Sequence, residues 1–282
     1  MVIDVSVHNS TPNWSQAKGH IEGAIIRCGY GSDYATQDDK MWLYNVTECE
    51  RLGIPYAVYL YSYAYTVQQA RSEAEHAKRL CKGHKPSVVY FDSEEKGTES
   101  IAASAAKVLI EEMHKAGYKA GVYASSYWYN QYMKGVKGDS LWIAAYGRND
   151  GTENMKYRPN VGEDLWQYSS MGTCPGFRGR VDVNTMYKNI FNKVETPAQG
   201  DDLLDLLYKT MKGDFGVDKE RKKKLGAKYD DVQAVINHIY YAGVQTLAAE
   251  VMEGDYGTDD VRKTILGNRY NEVQDYINKH YY

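Results

Sequence analysis

The sequence predicts a protein of the α/β class, with a closed eight-stranded barrel followed by two small bundles of three helices. Two observations support this prediction. Short β-rich runs alternate with helix-forming stretches throughout residues 1–192, and such alternation is typical of a parallel sheet. Beyond residue 202 the chain repeats itself, and the repeated unit contains helix-forming stretches rather than strands.

Eight runs rich in β-branched and aromatic residues are predicted to be strands. They are VIDVSVH (2–8), GAIIRCGY (23–30), PYAVYLYSY (55–63), SVVYFD (87–92), KAGVYAS (119–125), SLWIAAY (140–146), DLWQYS (164–169) and RVDVN (180–184). Eight is the number of strands that closes a barrel of alternating strands and helices.

Helices are predicted between the early strands, over residues 36–52, 66–82 and 98–117. Gly53 and Gly117 stand where the C-caps of two of these helices are expected. The later strands are separated by segments that are too short or irregular for full helices. We therefore expect an irregular TIM-like barrel, (β/α)5(β)3, whose helices cover mainly its first half.

Residues 193–202 contain proline, glycine and charge without periodicity, and are predicted to be a linker between the barrel (1–192) and the repeats. The motif Met211-Lys-Gly-Asp-Phe-Gly216 returns 41 residues later as Met252-Glu-Gly-Asp-Tyr-Gly257. The two copies are predicted to span 203–241 and 244–282. Each should contain three short helices, at 203–212, 217–225 and 229–240 in the first copy.

Composition excludes several classes of protein. The apolar fraction of 43% and the charged fraction of 25% are those of a globular domain. A net charge of −3 argues against a nucleic-acid binder and gives no reason to expect an anionic membrane surface as partner. No apolar run is long enough to span a membrane. The 27 tyrosines suit either a wet cleft that holds sugars or ordinary half-buried surface.

The cysteines and the N-terminus bear on the cellular compartment. Cys28, Cys49, Cys81 and Cys174 have the spacing of neither a zinc site nor a disulfide scaffold, so we expect reduced thiols and no metal or cofactor. Met1–Val5 has no basic region and no long apolar core, so we expect synthesis in the cytoplasm without a secretory signal.

Carboxylates at predicted strand ends are the candidates for chemistry. Asp92 and Glu94 end a buried strand two residues apart, so they should emerge side by side on one face. One carboxyl of so close a pair should keep its proton near neutral pH, as acid-assisted cleavage of a glycosidic bond requires. Asp4 and Asp182 lie on the first and eighth strands, which are neighbours in a closed barrel. Each carboxylate taken singly is also compatible with a solvated strand end or a turn cap.

Six segments match the motifs of a known family in the same order along the chain. They are Asp4-Val-Ser6-Val-His8, Ala24-Ile-Ile-Arg27-Cys-Gly29-Tyr30-Gly31, Tyr90-Phe-Asp92-Ser-Glu94, Leu141-Trp142-Ile-Ala144-Ala-Tyr146, Leu165-Trp166-Gln167-Tyr168-Ser-Ser and Val181-Asp182-Val-Asn184. From residue 1 to about residue 190 the chain therefore resembles the family 25 glycoside hydrolases, the bacterial and phage muramidases. The chain departs from the family at Tyr59-Leu60-Tyr61, where the family often has Tyr-His-Phe.

The resemblance implies an enzyme that cleaves the β-1,4 bond between N-acetylmuramic acid and N-acetylglucosamine in peptidoglycan, with retention of configuration. Glu94 would be the general acid and later the base, and Asp92 would orient or stabilise the reacting sugar. Asp4 and Asp182 would tune this pair. The attacking atom stays open between a carboxylate and the substrate's acetamido carbonyl, and the Asp-x-Glu spacing favours the acetamido group.

Side chains near the late part of a strand are the candidates for sugar binding, and packing inside the barrel is the alternative for each. They are Tyr61, Tyr123, Trp142, Tyr146, Trp166 and Gln167.

The C-terminal copies resemble the cell-wall-binding repeat of some streptococcal phage muramidases, whose usual Gly-x-Trp-Gly becomes Gly213-Asp-Phe-Gly216 and Gly254-Asp-Tyr-Gly257 here. The alternative is that these rings pack the core of each bundle and that Arg221 simply caps a helix. Two weak sites on one chain would raise avidity for a polymeric wall. The candidate wall-binding residues are Asp214, Phe215, Arg221, Asp255, Tyr256 and Arg262.

The leading hypothesis is therefore a modular endolysin, made in the cytoplasm, whose partner is bacterial peptidoglycan, both glycan strand and muropeptide. It would act on the cell wall after release. A protein of another class, which binds walls through the same modules but has a catalytically weak barrel, is the alternative. A chitinase-like enzyme also uses Asp-x-Glu, but it fits poorly with Asp4 on the first strand and with the repeats.

Overall fold

The computed structural model describes residues 1–192 and 201–281, which form two compact units, a barrel and a set of C-terminal helices. Most of the predicted linker, residues 193–200, lies outside the described residues. Residues 201 and 202, its last two, already belong to the first C-terminal helix.

Eight strands close the barrel in chain order. They are β1 (Val2–Val5), β2 (Gly23–Tyr30), β3 (Tyr56–Tyr61), β4 (Val89–Asp92), β5 (Ala120–Ser125), β6 (Leu141–Ala144), β7 (Leu165–Gly172) and β8 (Val181–Met186). The predicted eight-stranded barrel is thus confirmed.

The direction of β8 differs from the expected parallel sheet. Neighbours from β1 to β7 run parallel, whereas β8 is antiparallel to both β7 and β1. Only residues 173–180 connect β7 to β8, and a crossover to a parallel strand needs a dozen or more residues. A reversal of chain direction is the geometry that this short connection allows.

The long helices of the barrel lie in its first half, as predicted. The helices are α1 (Trp14–Ala17), α2 (Trp42–Leu52), α3 (Val67–Cys81), α4 (Ala102–Lys115) and α5 (Ser126–Trp128). Short helical turns add Ala35–Gln37, Tyr129–Met133 and Met155–Tyr157. Gly53 and Gly117 have φ values of 67° and 85° directly beyond α2 and near the end of α4, a conformation that favours glycine.

The barrel interior is layered along the strands. An apolar layer contains Val2, Ile25, Ala57, Tyr90, Trp142 and Leu165, all fully or almost fully buried. Because side chains alternate, the residue two positions further along a strand points into the same interior, one layer nearer the C-terminal mouth. Asp4, Asp92 and Gln167 occupy such positions. The apolar layer therefore forms the floor on which a polar layer sits.

Among the described residues, the C-terminal repeats contain six helices, three in each copy, as predicted. They are α6 (Asp201–Lys212), α7 (Asp218–Leu225), α8 (Tyr229–Tyr241), α9 (Val244–Glu253), α10 (Asp259–Leu266) and α11 (Tyr270–His280), with 3-10 turns at Gly226–Lys228 and Gly267–Arg269. Arg269 of the second copy donates to the carbonyls of Ile239 (2.7 Å) and Ala242 (3.0 Å) at the end of α8. The two copies thus support each other.

Two expectations drawn from composition concern cysteines and membranes. All four cysteines are free and buried. Among the helices of the described residues, none combines the length and the apolar character that crossing a membrane requires.

Glu73 on α3 is a buried carboxyl that holds the end of β3. Its oxygens accept hydrogen bonds from Ser62 Oγ (2.6 Å) and from the backbone N–H of Tyr63 (2.7 Å). Only 1% of Glu73 is exposed. Burial raises the pKa of Glu73 from its ordinary 4.5 to about 7, against the effect of these two hydrogen bonds.

A Glu73→Gln variant is expected to gain stability over the wild type as the pH rises. The folded-state pKa lies above the ordinary value, so Glu73 contributes stability that is full below pH 4.5 and lost as the pH rises through about 7. Glutamine carries no charge, and its amide can accept from the Tyr63 N–H with its oxygen and donate to the Ser62 hydroxyl with its nitrogen. Its advantage should grow by about 2 kcal/mol between pH 5 and pH 8, measured by denaturant unfolding.

The matched control is Glu75→Gln, which changes an exposed carboxylate on the same helix that pairs with Lys78. It should shift stability little at either pH, since exposed ion pairs contribute about 0–1 kcal/mol. Equal pH dependence of the Glu73→Gln variant and the wild type would contradict the prediction.

Candidate active site

Four carboxylates meet at the C-terminal mouth of the barrel. Asp4 near the end of β1 pairs in register with Asp182 near the start of β8. These positions coincide because β8 runs antiparallel, which brings its first residues to the rim where β1 ends. Asp92 is the last residue of β4, and Glu94 follows two residues later. The convergence of all four residues therefore follows from topology and strand period.

Asp4 is held by a network of amides. Gln167 Nε2 donates to both of its oxygens, at 3.0 and 2.9 Å, and Asn184 Nδ2 donates to Oδ2 at 2.8 Å. Trp142 Nε1 in turn donates to Asn184 Oδ1 at 2.7 Å and fixes the orientation of that amide. Burial and the charge of Asp182 raise the pKa of Asp4 well above its ordinary value, against these hydrogen bonds.

Asn184 contacts Asp4 in the site, although no function was predicted for it from the sequence. It lies two positions after Asp182 on β8, so it points into the barrel on the same face. The two-residue spacing from Asp182 could have identified Asn184 as a site residue from the sequence. Burial also raises the pKa of Asp182, to about 6.

Asp92 has a buried carboxyl oxygen without a hydrogen-bond partner among the described residues. This oxygen is Oδ1, and Asp92 as a whole is 7% exposed. Burial raises the pKa of Asp92 well above its ordinary value, the charges of Glu94 and Asp4 add to this rise, and Arg27 opposes it. This direction agrees with the expectation that one carboxyl of the pair keeps its proton.

Glu94 is half-buried and tied to the end of β5. Its Oε2 accepts a hydrogen bond from the backbone N–H of Ser125 at 2.5 Å. Ser125 is itself the N-cap of α5 and is therefore fixed in place. No hydrogen bond from residues 1–192 or 201–281 reaches Oε1 of Glu94, which leaves this oxygen available to a substrate.

Two of the predicted sugar-binding residues, Gln167 and Trp142, are buried beneath the carboxylates. Gln167 is 3% exposed, and its Oε1 accepts from Tyr123 (2.7 Å) and Tyr146 (2.8 Å) while its amide holds Asp4. Trp142 is 1% exposed and packs in the floor, where the packing alternative placed it. Gln167 and Trp142 therefore support the carboxylates from below instead of facing the open mouth.

Tyr61 belongs to a tyrosine wall at the mouth, at the place where the chain departs from the family pattern. Its hydroxyl donates to Glu95 Oε2 at 2.9 Å. Its ring lies 5.0 Å from that of Tyr63, which in turn lies 6.0 Å from that of Tyr30. Tyr63 is 44% exposed and offers an aromatic face to solvent. Glu95, Tyr30 and Tyr63 were not among the site residues predicted from the sequence.

Tyr146 and Trp166 line a pocket beside this mouth. Trp166 is 1% exposed and donates its Nε1 hydrogen to the carbonyl of Ala145 at 2.9 Å. Among residues 1–192, no three His, Cys, Asp or Glu side chains lie close enough together to hold a metal ion.

In the repeats, the two arginines have the same structural contact. Arg221 Nε donates to the carbonyl of Gly216 at 3.3 Å, and Arg262 Nε donates to that of Gly257 at 3.2 Å. Both glycines have positive φ, so each arginine closes a glycine turn. This contact accounts for the recurrence of the arginine and the glycine in both copies.

The ring positions of the two copies differ in burial. Phe215 is half-buried, whereas Tyr256 is 2% exposed and donates its hydroxyl hydrogen to Glu250 Oε2 at 2.7 Å. Tyr256 therefore takes the packing role that was the alternative for these rings. Asp214 and Asp255 are exposed beside them.

Comparison with protein families agrees with both resemblances. The model of the glycosyl hydrolases family 25 matches residues 3–177, and that of the CW_7 repeat matches residues 245–280. The lysozyme of Streptococcus phage Cp-1 is 61% identical over 33 residues, which are 11% of this chain and 10% of that protein. The match thus spans about a tenth of this curated relative.

Two solved structures share the barrel. One is the catalytic domain of an endolysin from a bacteriophage of Listeria monocytogenes, with 26% identity, a TM-score of 0.62, and coverage of 70% of this chain and 97% of that one. The other is the modular autolysin LytC from Streptococcus pneumoniae in complex with a synthetic peptidoglycan ligand. Its identity is 29%, its TM-score is 0.53, and the match covers 65% of this chain and 45% of that one.

Proposed function

The chain belongs to the glycosyl hydrolases of family 25, and from this premise we propose that it is a peptidoglycan hydrolase that cleaves the β-1,4 bond between N-acetylmuramic acid and N-acetylglucosamine. The observation that carries the proposal is the meeting of Asp4, Asp92, Glu94 and Asp182 at one mouth. Two carboxyls in different surroundings, one enclosed and one accessible, are the requirement for acid-assisted glycoside cleavage.

Glu94 is the general acid in this proposal. Because Oε2 accepts a backbone hydrogen bond, the proton resides on Oε1 and passes from there to the leaving glycosidic oxygen. The resulting carboxylate then takes a proton from the incoming water. The new O–H bond of the released sugar and the new bond at the anomeric carbon complete the hydrolysis.

Asp92 orients the reacting sugar. Its enclosed Oδ1 lacks a protein donor, so it is free to accept the N–H of the substrate's 2-acetamido group. That hydrogen bond turns the acetamido carbonyl towards the anomeric carbon, where its attack displaces the leaving oxygen. Water then opens the cyclic intermediate from the other face, and two inversions give net retention. The carboxyls of Asp4 and Asp182 adjust the electrostatic field around Asp92 and Glu94.

The products of digestion test the proposed function. Purified peptidoglycan treated with the full chain, reduced with borohydride and analysed by mass spectrometry should yield fragments that end in reduced N-acetylmuramic acid. Fragments that end in reduced N-acetylglucosamine would instead indicate a glucosaminidase, and freed peptides an amidase. Wall binding without any of these products would favour the alternative of a catalytically weak wall-binding protein.

We propose further that the C-terminal repeats bring the enzyme to the cell wall, on which it acts after release from the cytoplasm where it is made. The match of residues 245–280 to a wall-binding repeat supports this role. Asp214, Asp255 and the half-buried Phe215 are the accessible candidates for contact. Two copies on one chain raise avidity for a polymer, so each site can be weak.

Removal of residues 193–282 is expected to weaken wall binding about 10-fold to 100-fold while leaving hydrolysis of soluble glycan within about twofold of the full chain. Binding is measured by co-sedimentation with purified sacculi, with Glu94→Gln present in both proteins so that the wall stays intact. If the barrel alone sediments as well as the full chain, targeting by the repeats is wrong.

A further inference from the structure

A pocket opens at the barrel mouth beside the carboxylates, and the hydrolytic mechanism leaves it unused. It occupies about 340 Å³, including the part open to solvent. The residues of its lining that matter here are Tyr146, Arg148, Glu153, Tyr157, Trp166 and Tyr168. The first four follow β6, and Trp166 and Tyr168 belong to β7.

The pocket shares a wall with the active site. Tyr146 lines the pocket, and its hydroxyl donates to Gln167 Oε1 at 2.8 Å. Gln167 in turn holds Asp4 through its amide. A sugar at the carboxylates therefore has the pocket directly beside it, and a substituent on that sugar can enter.

The walls of the pocket are fixed by long-range hydrogen bonds. Asn149 has a φ of 52°, and its Oδ1 accepts from Ser169 Oγ at 2.8 Å. The backbone N–H of Gly151 donates to the same Ser169 hydroxyl at 2.9 Å. Glu153 Oε2 accepts from Thr185 Oγ1 at 2.7 Å. A strained backbone held by specific contacts is typical of a preformed site.

Arg148 places a positive charge in the lining of the pocket. Its guanidinium makes no hydrogen bond or ion pair with any residue in the described parts of the chain. Arg158, in the same segment, is by contrast paired with Glu163 at 2.8 Å and lies 3.6 Å from the ring of Tyr187. The carboxylate of Asp150, which also lines the pocket, accepts from both the backbone and the hydroxyl of Thr152.

These features define the chemistry of the ligand. A free guanidinium matches a carboxylate in a two-pronged geometry, and neutral sugars have no such group. Tyr157 is 37% exposed and offers its ring to short aliphatic side chains. The carboxylates of Asp150 and Glu153, which also line the pocket, are acceptors of the kind that an amine binds. A short peptide with carboxylates, small side chains and an amine meets all three requirements.

We propose that this pocket binds the stem peptide carried by the muramic acid residue of the substrate, with Arg148 binding a peptide carboxylate. The inference rests on the proposed function, because the peptide reaches the pocket only when the glycan strand lies across the carboxylates. The enzyme then selects strands that bear peptides over bare glycan.

The test compares hydrolysis of two substrates by three proteins. The substrates are soluble glycan strands with stem peptides and the same strands after an amidase has removed the peptides. The ratio of kcat/KM for the first to kcat/KM for the second should fall about 10-fold in Arg148→Met relative to wild type, the effect of one charge-assisted hydrogen-bonded pair. Lys156→Met, which removes a charge from the same segment outside the pocket lining, should keep the wild-type ratio.

A binding titration tests the peptide site independently of catalysis, so that its failure can be distinguished from failure of the proposed function. A disaccharide-peptide fragment with N-acetylmuramic acid at its reducing end lacks the bond that the enzyme cuts. It should bind wild type about 10-fold more tightly than Arg148→Met in calorimetry. Equal affinity, or an equal loss on peptide-bearing and bare strands, would overturn the stem-peptide site. If wild type cleaves neither strand, the muramidase proposal fails, and the titration still decides what the pocket binds.

Discussion

A Glu94→Gln variant is expected to release reducing ends from purified peptidoglycan about 1000-fold more slowly than the wild type, since it lacks the transferable proton. The amide keeps the size of the side chain and still accepts the backbone hydrogen bond of Ser125, so the mouth of the barrel should stay intact. The measurement is the initial rate of reducing-end release, with thermal unfolding recorded for the same preparation.

Glu99→Gln is the matched control for this experiment. Glu99 lies in the same loop after β4, and its carboxylate has no place in the proposed mechanism. The control should keep the wild-type rate. The acid assignment fails if Glu94→Gln, folded as well as the wild type, turns over substrate at a comparable rate.

The four carboxylates could be found from the sequence because two simple rules place them. Period-two alternation puts Asp92 and Glu94 on one face, and closure of an eight-stranded barrel makes the first and last strands neighbours. Asp182 was expected at the C-terminal end of a parallel eighth strand. It lies instead near the start of β8, and the antiparallel direction of β8 brings it to the same rim. The shortness of residues 173–180 was the sequence signal for this reversal, since a parallel crossover needs a longer connection.

The supporting network was harder to predict because it depends on contacts between distant strands. Gln167 was expected to bind sugar. In the structure its Nε2 donates to Asp4 and its Oε1 accepts from two tyrosines, so its amide already has protein partners. The segment that carries Arg148 has no regular periodicity, and its shape depends on anchoring by Ser169 and Thr185. A local pattern cannot report such long-range hydrogen bonds.

The burial of side chains in the repeats was also not predictable from a local sequence pattern. Phe215 and Tyr256 occupy equivalent positions in two closely similar copies, yet one is half-buried and the other is enclosed with its hydroxyl on Glu250. Sequence similarity predicts the shared helices and the arginine-closed glycine turns. It does not predict which of two equivalent rings is left accessible, because that depends on what packs around each copy.

An Asp92→Asn variant is expected to lose about 100-fold to 1000-fold in kcat, because asparagine cannot give up a proton and so cannot supply the negative charge that balances the cationic intermediate. Asparagine retains the shape of the side chain, so KM should change by much less than kcat. An inhibitor with a thiazoline ring, which mimics the cyclic intermediate formed by acetamido attack, separates binding from chemistry. We expect it to bind wild type about 100-fold more tightly than Asp92→Asn.

The same pair of proteins decides which atom attacks the anomeric carbon. If the acetamido carbonyl attacks, a 2-fluoro sugar substrate, which lacks that group, should leave no covalent adduct on the wild type in intact-protein mass spectrometry. An adduct that maps to Asp92, together with equal thiazoline affinity in the two proteins, would make this carboxylate the nucleophile and overturn its orienting role. Asp92 is enclosed and lacks a protein donor on Oδ1, an environment that suits a hydrogen bond to the acetamido N–H better than a solvated nucleophile. For this reason we expect the thiazoline to discriminate and the fluoro sugar to leave the protein unmodified.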